Sequence, residues 1–405
     1  AKPLVNNISD FIGVLRPFEN KVLASGKLRI LVFNWRDTKH VWAGGAEVYI
    51  NEMAKRWVRG GNQVTIFCGN DEKNKRNEIV DGVKVIRRGG FYMVYFWAFF
   101  YYVFRFRGQF DVIVDCENGI PFFSPIYSAL PKILLIHHVH QEVFRNHLMF
   151  PLSFIARKLE ADLMPALYKN TPVVTVSESS RDDIVKRGWA KPEDVCVVNP
   201  GVDFTKFIKV KKTPNPSFVY LGRIKEYKNI DLLLYAFSRI RKDYPDAKLS
   251  IAGDGESLNS LKLLANDLKI SNSVSFLHRV DDETRAYLLS QSWAAVQPSS
   301  YEGWGLTVLE ANASGTCVIA SDVKGLRDSV VDNQTGILFP MGNVEALISA
   351  MEKIINDKSL RIRLSENAYV WSARFNWDNS ANIFENLFIN ILPQKQLIAE
   401  AYGNL

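Results

Sequence analysis

SSYEGWGLTVLEANASG, residues 299–315, sets two glutamates eight positions apart, Glu302 and Glu310, around a glycine-broken turn at Gly303, Trp304 and Gly305. An apolar, strand-like run at 293–297 comes just before, and Pro298 and Ser299 end it. The predicted order is strand, glycine turn, helix. Such a helix start leaves the N–H groups of Leu306 and Thr307 unpaired at the positive end of the helix dipole, a setting that favours phosphate. The glycines let backbone approach a ligand closely. Glu302 precedes the turn, where a carboxylate can accept bonds from sugar hydroxyls. Glu310 lies about one helix turn further on, within reach of a ribose diol. The plain alternative is two solvated helix-end charges. The glycines, the preceding Pro-Ser-Ser and the small residues that follow favour a nucleotide-sugar.

Outward from this stretch the chain alternates. Predicted strands lie at 27–33, 63–67, 83–86, 112–115, 133–136, 173–176 and 195–198, with helices between most of them and a glycine loop (Gly44, Gly45) opening a helix at about 46–59. Residues 1–26 read as an irregular or helical extension. A basic, proline-bearing linker at 210–216 leads to a second series at 218–221, 248–251, 274–277, 294–297 and 318–320. The helices predicted there span about 229–242, 256–268, 281–291, 305–314 and 343–355. Short apolar runs separated by helices imply parallel sheets covered on both faces. The fold class is α/β, with two Rossmann-like doubly wound domains that hold ligands at the carboxyl ends of their strands.

The chain has 405 residues, enough for two cores, and its 47% hydrophobic and 23% charged residues exclude a disordered protein. A formal charge of +7 suits an anionic ligand or an anionic membrane surface. The basic residues are scattered and no nucleic-acid motif occurs. Cys68, Cys116, Cys196 and Cys317 are widely spaced, which favours buried thiols in a reducing compartment. The N-terminus lacks an apolar signal core, so a cytoplasmic location is expected. Residues 89–104, GGFYMVYFWAFFYYVF, are uncharged and mostly aromatic, with arginines on both sides. They fall short of the roughly 20 residues that span a bilayer. Two readings stand open: contact with a membrane interface through 89–107, or a buried helix at a domain face.

Further chemistry-bearing residues follow the strands. Arg223 and Lys228, in LGRIKEYKN, offer a rigid fork and a point charge for phosphate. KILLIHHVHQEVFR carries His137, His138 and His140. Their spacing is not that of a helical metal pair, and no carboxylate or thiol nearby in sequence completes a set. Asp281 and Asp282 do not form an Asp-x-Asp motif, and no Ser-His-Asp spacing suggests a hydrolase. No metal and no cofactor is therefore expected.

The Glu302 to Glu310 segment resembles the Glu-x7-Glu signature of retaining glycosyltransferases with the GT-B fold, of the glycosyltransferase family 4 type. The resemblance runs from about residue 28 to 380 and is more specific in the second half. It implies an acceptor-binding domain at 1–203, a nucleotide-sugar-binding domain at 204–375, and a C-terminal helix at 376–405 crossing back to the first. It implies donor binding by Gly44, Gly45, Arg223, Lys228, Arg279, Gly303, Trp304, Gly305, Leu306, Thr307 and Glu310. The implied catalytic residues are Glu302 and a histidine at the strand end, His137 by alignment, with His138 as its competitor. The family commonly has glycine where Asn229 and His278 stand, so Asn229 reads as a helix cap and base contact near 276–280 is in question. Asn199 to Asp203 resemble the family's turn at the cleft floor, with a plain interdomain turn as the alternative. The implied reaction moves a hexose, glucose for preference, from a UDP-sugar to a glycan or lipid-linked acceptor, with retention. The alternatives are a GDP-sugar (mannosyl) transferase, a non-catalytic nucleotide-sugar-binding protein and a membrane scaffold.

Overall fold

The computed structural model describes residues 27–141 and 149–393. The extension expected at 1–26 lies outside them.

The first sheet has eight strands in the order β3-β4-β2-β1-β5-β6-β7-β8. They are β1 (Arg29–Phe33), β2 (Gln63–Cys68), β3 (Asn77–Val80), β4 (Val83–Arg87), β5 (Val112–Glu117), β6 (Lys132–Ile136), β7 (Val173–Thr175) and β8 (Val195–Val197). All pairs are parallel except the β3–β4 hairpin. The second sheet is wholly parallel, in the order β11-β10-β9-β12-β13-β14. It comprises β9 (Ser217–Leu221), β10 (Lys248–Ala252), β11 (Val274–Phe276), β12 (Ala294–Gln297), β13 (Cys317–Ser321) and β14 (Gly336–Phe339). Strands β5, β9, β12 and β13 are buried at every position. Coverage by helices on both faces explains their continuous apolar runs.

The helices that matter for the site are α1 (Gly45–Arg59), α2 (Val94–Tyr101), α3 (Glu178–Lys186), α4 (Ile230–Asp243), α5 (Asp282–Gln291), α6 (Leu306–Ala313) and α7 (Trp377–Ile391). Helix α1 carries apolar residues at helical spacing, and it buries Tyr49, Ile50, Met53, Ala54 and Trp57. Helix α7 returns from the second half and packs on that face. The Trp57 ring lies 5.1 Å from Phe384 and 5.0 Å from Phe388, and Arg56 pairs with Asp378 at 2.5 Å. The passage out of the first sheet is fastened to the same place. Val202 N–H donates to Phe375 O at 3.0 Å, and Ser380 Oγ donates to Asn199 O at 2.7 Å. Gly201 lies against the start of α7, where a Cβ would stand 2.2 Å from Trp377 N.

The aromatic segment is buried on one face and exposed on the other. Helix α2 buries Val94 and Ala98, and Tyr102 and Phe106 continue that face into a core with Leu31, Phe33 and Phe67. Its other face leaves Tyr92, Phe96, Trp97, Phe100 and Phe104 exposed. Among the described residues no helix is long and apolar enough to cross a membrane.

Among the elements with no counterpart in the sequence reading are β3, β14, a short helix at Leu326–Ser329 and a longer one at Lys358–Ser372. Strand β3 is a short edge strand with alternating exposure, and a two-residue Asp81-Gly82 turn joins it to β4. Both turn residues have positive φ, 51° and 82°. That is the turn that matches strand twist in a tight hairpin.

Candidate active site

The turn between β12 and α6 is built on residues that free its amides. Gly305 takes φ +89° at the N-cap of α6 and supplies no side-chain cap, so the first N–H groups of the helix keep their capacity for a ligand. Glu302 is held in place just ahead of them. Its Oε1 accepts a bond from Ser299 Oγ at 3.0 Å and one from Lys228 Nζ. Lys228 itself lies on the turn between β9 and α4, and that turn is laced to the β12–α6 turn. Asn229 Nδ2 donates to Pro298 O at 3.0 Å and Ser300 Oγ at 2.9 Å, Ser300 N–H donates to Tyr227 O at 2.8 Å, and the Tyr227 and Tyr301 rings stack at 4.5 Å. Asn229 occupies the N-cap position of α4 without capping it by its side chain, which corrects its reading as a cap. Its φ of +49° is the reason a glycine would serve there and why asparagine can replace one.

The first sheet presents its strand ends to this turn at close range. A Cβ on Gly44 would stand 3.0 Å from the Arg223 guanidinium carbon, one on Gly45 3.5 Å from Leu306 Cδ1, and one on Gly303 3.0 Å from His137 O. Arg223 also donates to Tyr227 Oη at 3.1 Å. The Gly44 N–H donates to Glu47 at 2.6 Å, and Arg36 pairs with Glu47 at 3.0 Å, which fixes the glycine loop at the start of α1. Two polar links tie the halves nearby. Ser179 N–H donates to Asp328 at 3.2 Å, and Lys324 pairs with Asp183 at 3.0 Å. Ser177 caps α3 through Ser180 N–H, as its position after β7 suggests.

The histidines separate into different environments. His137 is buried with its ring edge-on to Tyr49 at 5.3 Å, and its pKa is pushed down to about 3 by burial and then by the other two histidines. His138 is held well below the ordinary imidazole range, chiefly by burial and then by His140. It is also the one that feels Glu302, which raises its pKa, and Lys228 and Arg223, which lower it. Of the two candidates, His138 is the one in electrical contact with the Glu302 cluster. It is neutral at physiological pH, so it offers a hydrogen bond and not a charge.

Glu310, on α6, is partly buried and pairs with Arg285 at 3.3 Å. Burial raises its carboxyl and Arg285 opposes that rise. Arg285 comes from α5 and also holds Asp282 at 2.8 Å. Nothing in the sequence reading singles it out, because the pair joins neighbouring helices 25 residues apart. Thr307 Oγ1 makes a long contact of 3.4 Å to Leu221 O. Trp304 stands apart from the other candidates: its ring is buried against Phe375 at 5.1 Å. Arg279 is exposed, and its N–H donates to Asp254 at 3.1 Å. Asp254 also pairs with His278 at 2.7 Å, and His278 takes φ +53°, again a conformation in which glycine is at ease. The fold also brings carboxylates from distant stretches of chain to the histidines. Glu117, from the end of β5, and Glu160 both reach His140.

The open end of α6 thus gathers backbone amides, the Arg223 guanidinium and the Lys228 ammonium, with the Glu302 carboxylate ahead of it and that of Glu310 beyond. Residues 202–371 match the family described as "Glycosyl transferases group 1", and residues 43–206 match that described as "Glycosyltransferase Family 4". A protein of Methanocaldococcus jannaschii described as an uncharacterized glycosyltransferase is 25% identical over 397 residues, which cover 89% of this chain and 98% of that one. Among solved structures, sucrose-phosphate synthase from Thermosynechococcus elongatus matches with a TM-score of 0.77 at 20% identity, covering 92% of this chain and 100% of that one. Anabaena HepE in complex with UDP-glucose matches with a TM-score of 0.69 at 18% identity, covering 90% of this chain and 100% of that one.

Proposed function

We propose, from the premise that this chain is a glycosyltransferase of family 4 type with the GT-B fold, that it moves a hexose from a UDP-sugar to a glycan or lipid-linked acceptor with retention. The observation that carries this reading is the clasp of Lys228 and Ser299 on Glu302 at the open amide end of α6, with Arg223 alongside. The second half holds the donor. The amides of Leu306 and Thr307, with Arg223 and Lys228, receive the diphosphate, Glu302 takes sugar hydroxyls, and Glu310, aligned by Arg285, takes the ribose. Gly44, Gly45 and His138 meet the donor from the first half, which holds the acceptor beside it.

In the step itself the bond from the anomeric carbon to the diphosphate oxygen breaks, and negative charge grows on the diphosphate. Fixed donors in a closed cleft stabilise that charge best. The acceptor oxygen bonds to the anomeric carbon on the same face, and its proton passes to the departing phosphate oxygen. Closure of the two halves excludes water from this exchange. No metal and no cofactor is needed for it, since the cations and helix end already meet the charge.

UDP-glucose is the first donor to test, because HepE holds it on the same fold. In a thermal-shift panel of UDP-, GDP- and ADP-sugars, one nucleotide raises the melting temperature, and Glu310→Ala weakens the response to that nucleotide by about 1–2 kcal/mol of binding free energy. A response to GDP-sugars alone identifies the mannosyl-type alternative. Stabilisation by donor without hydrolysis or transfer identifies a binding protein. Indifference to the whole panel removes the donor assignment.

The acceptor's lipid is supported by α2. Its outward Phe96, Trp97 and Phe100, near Arg88 and Arg105, suit an anionic bilayer surface. The double variant Phe96→Ser/Phe100→Ser loses at least about tenfold in partitioning to anionic vesicles, since each ring contributes about 1.5–3 kcal/mol when fully buried. Its donor response stays unchanged. Vesicle binding that the double variant retains in full removes this contact.

A further inference from the structure

His140 stands between two carboxylates that the first half buries completely. Its Nδ1 lies 3.3 Å from Glu117 Oε1 and 3.8 Å from Glu160 Oε1, and neither glutamate side chain has any exposure. One ligand atom from each of the three residues falls within 4.8 Å of the other two. Glu160 is satisfied on both oxygens, by His140 N–H at 2.6 Å and Gln141 Nε2 at 2.6 Å. Glu117 is not. Its Oε1 accepts Gly119 N–H at 2.7 Å, while its Oε2, equally buried, has no hydrogen-bond partner.

Neither carboxylate pairs with a lysine or arginine among the described residues. Two carboxylates taken out of water side by side need a compensating positive charge or a proton. Atoms that share one ion at bonds of about 2.0–2.2 Å stand about 3–4 Å apart, which is the spacing found around His140. An imidazole with two carboxylates is a donor set for a divalent ion of the zinc or manganese kind. A dication would also leave the buried cluster with no net charge.

We propose that Glu117, His140 and Glu160 form a binding site for one divalent transition-metal ion, Zn²⁺ or Mn²⁺, in the acceptor half. This departs from the expectation, read from the sequence, of no metal. The site is not part of the diphosphate wall. The His140 ring lies 4.0 Å from that of His138, so the ion acts as an anchor for the segment 137–141 and positions His138 through it. The proposal is independent of the donor assignment, because it is tested without any nucleotide.

The test uses the full chain, stripped with a chelator and then offered ZnCl₂, MnCl₂ or MgCl₂. After gel filtration, elemental analysis finds about one zinc or manganese per chain, and magnesium is not retained. The bound ion raises the melting temperature, and EDTA reverses the rise. Glu117→Gln and Glu160→Gln each lower affinity at least about tenfold while the circular dichroism stays that of a folded chain. Should either variant fail to fold, spin-echo spectroscopy of Mn²⁺ on the unmodified protein decides: it shows coupling to an imidazole nitrogen. Three results overturn the site. One is no retention and no thermal shift with either ion at about 1 mM. Another is retention that both folded variants keep. The last is bound manganese without nitrogen coupling.

Discussion

Lys228→Ala lowers kcat/KM for the preferred donor by about 10²–10³-fold, the loss typical when one fixed donor to a developing oxyanion is removed. The substitution acts twice. It removes a cation from the proposed diphosphate wall, and it deprives Glu302 of the ammonium that holds its carboxylate. Ser299 Oγ alone, at 3.0 Å, then orients Glu302. Lys228→Arg is not a mild version, because a planar fork does not fit where a point charge is clasped. A double-mutant cycle with Glu302→Gln separates the two effects. If Lys228 works only by holding Glu302, the double variant is no worse than Glu302→Gln alone. If it also meets the diphosphate, the double variant falls further. Steady-state kinetics with the donor found in the panel reads the outcome, and a loss smaller than about fivefold would remove Lys228 from the proposed diphosphate wall.

Gly325→Ala is the second large effect, and it comes from a residue with no chemistry of its own. Gly325 takes φ +80°, and a Cβ there would stand 2.3 Å from Glu302 O and 2.7 Å from Gly303 C. Those are backbone atoms of the β12–α6 turn, so no side chain can swing aside to relieve the contact. The strained φ costs about 1 kcal/mol and the collision a further 1–3 kcal/mol. Displacing Glu302 by about 1 Å costs up to about 10²-fold in rate. Gly342→Ala is the control. It has a similar φ of +77° but nothing within 4 Å of its Cβ, so it carries the strain without the collision. Melting curves and kinetics on both variants separate the terms. Equal losses in the two would mean that Gly325 does not brace the turn.

Apart from β14 (Gly336–Phe339), the parallel strands were legible because burial on both faces leaves an unbroken apolar run. ILVF in β1 and VIA in β13 need no partner in view to be read. Strand β3, with the sequence NEIV, lacks that signal, and only the Asp81-Gly82 turn before β4 could have revealed it. At the candidate site, residues close in sequence were readable as a group: Glu302, Gly303, Gly305, Leu306 and Glu310 lie on one turn and one helix. Pairs made by topology were not. Arg285 meets Glu310 only because α5 and α6 are neighbours, and Glu160 meets His140 across a chain distance of 20 residues. The choice between His137 and His138 was undecidable from an alignment of one strand end, since adjacent residues there face opposite ways. Burial against Tyr49 and the pull of Glu302 distinguish them.

The two passages of chain between the halves touch each other, at Val202 with Phe375 and at Gly201 with Trp377. Relative motion is thereby limited to a swing about that paired crossing. A sideways slide would break the Val202 bond and drive Gly201 into the first turn of α7. The paired crossing is therefore a built-in pivot that keeps the two leaves in register at their base.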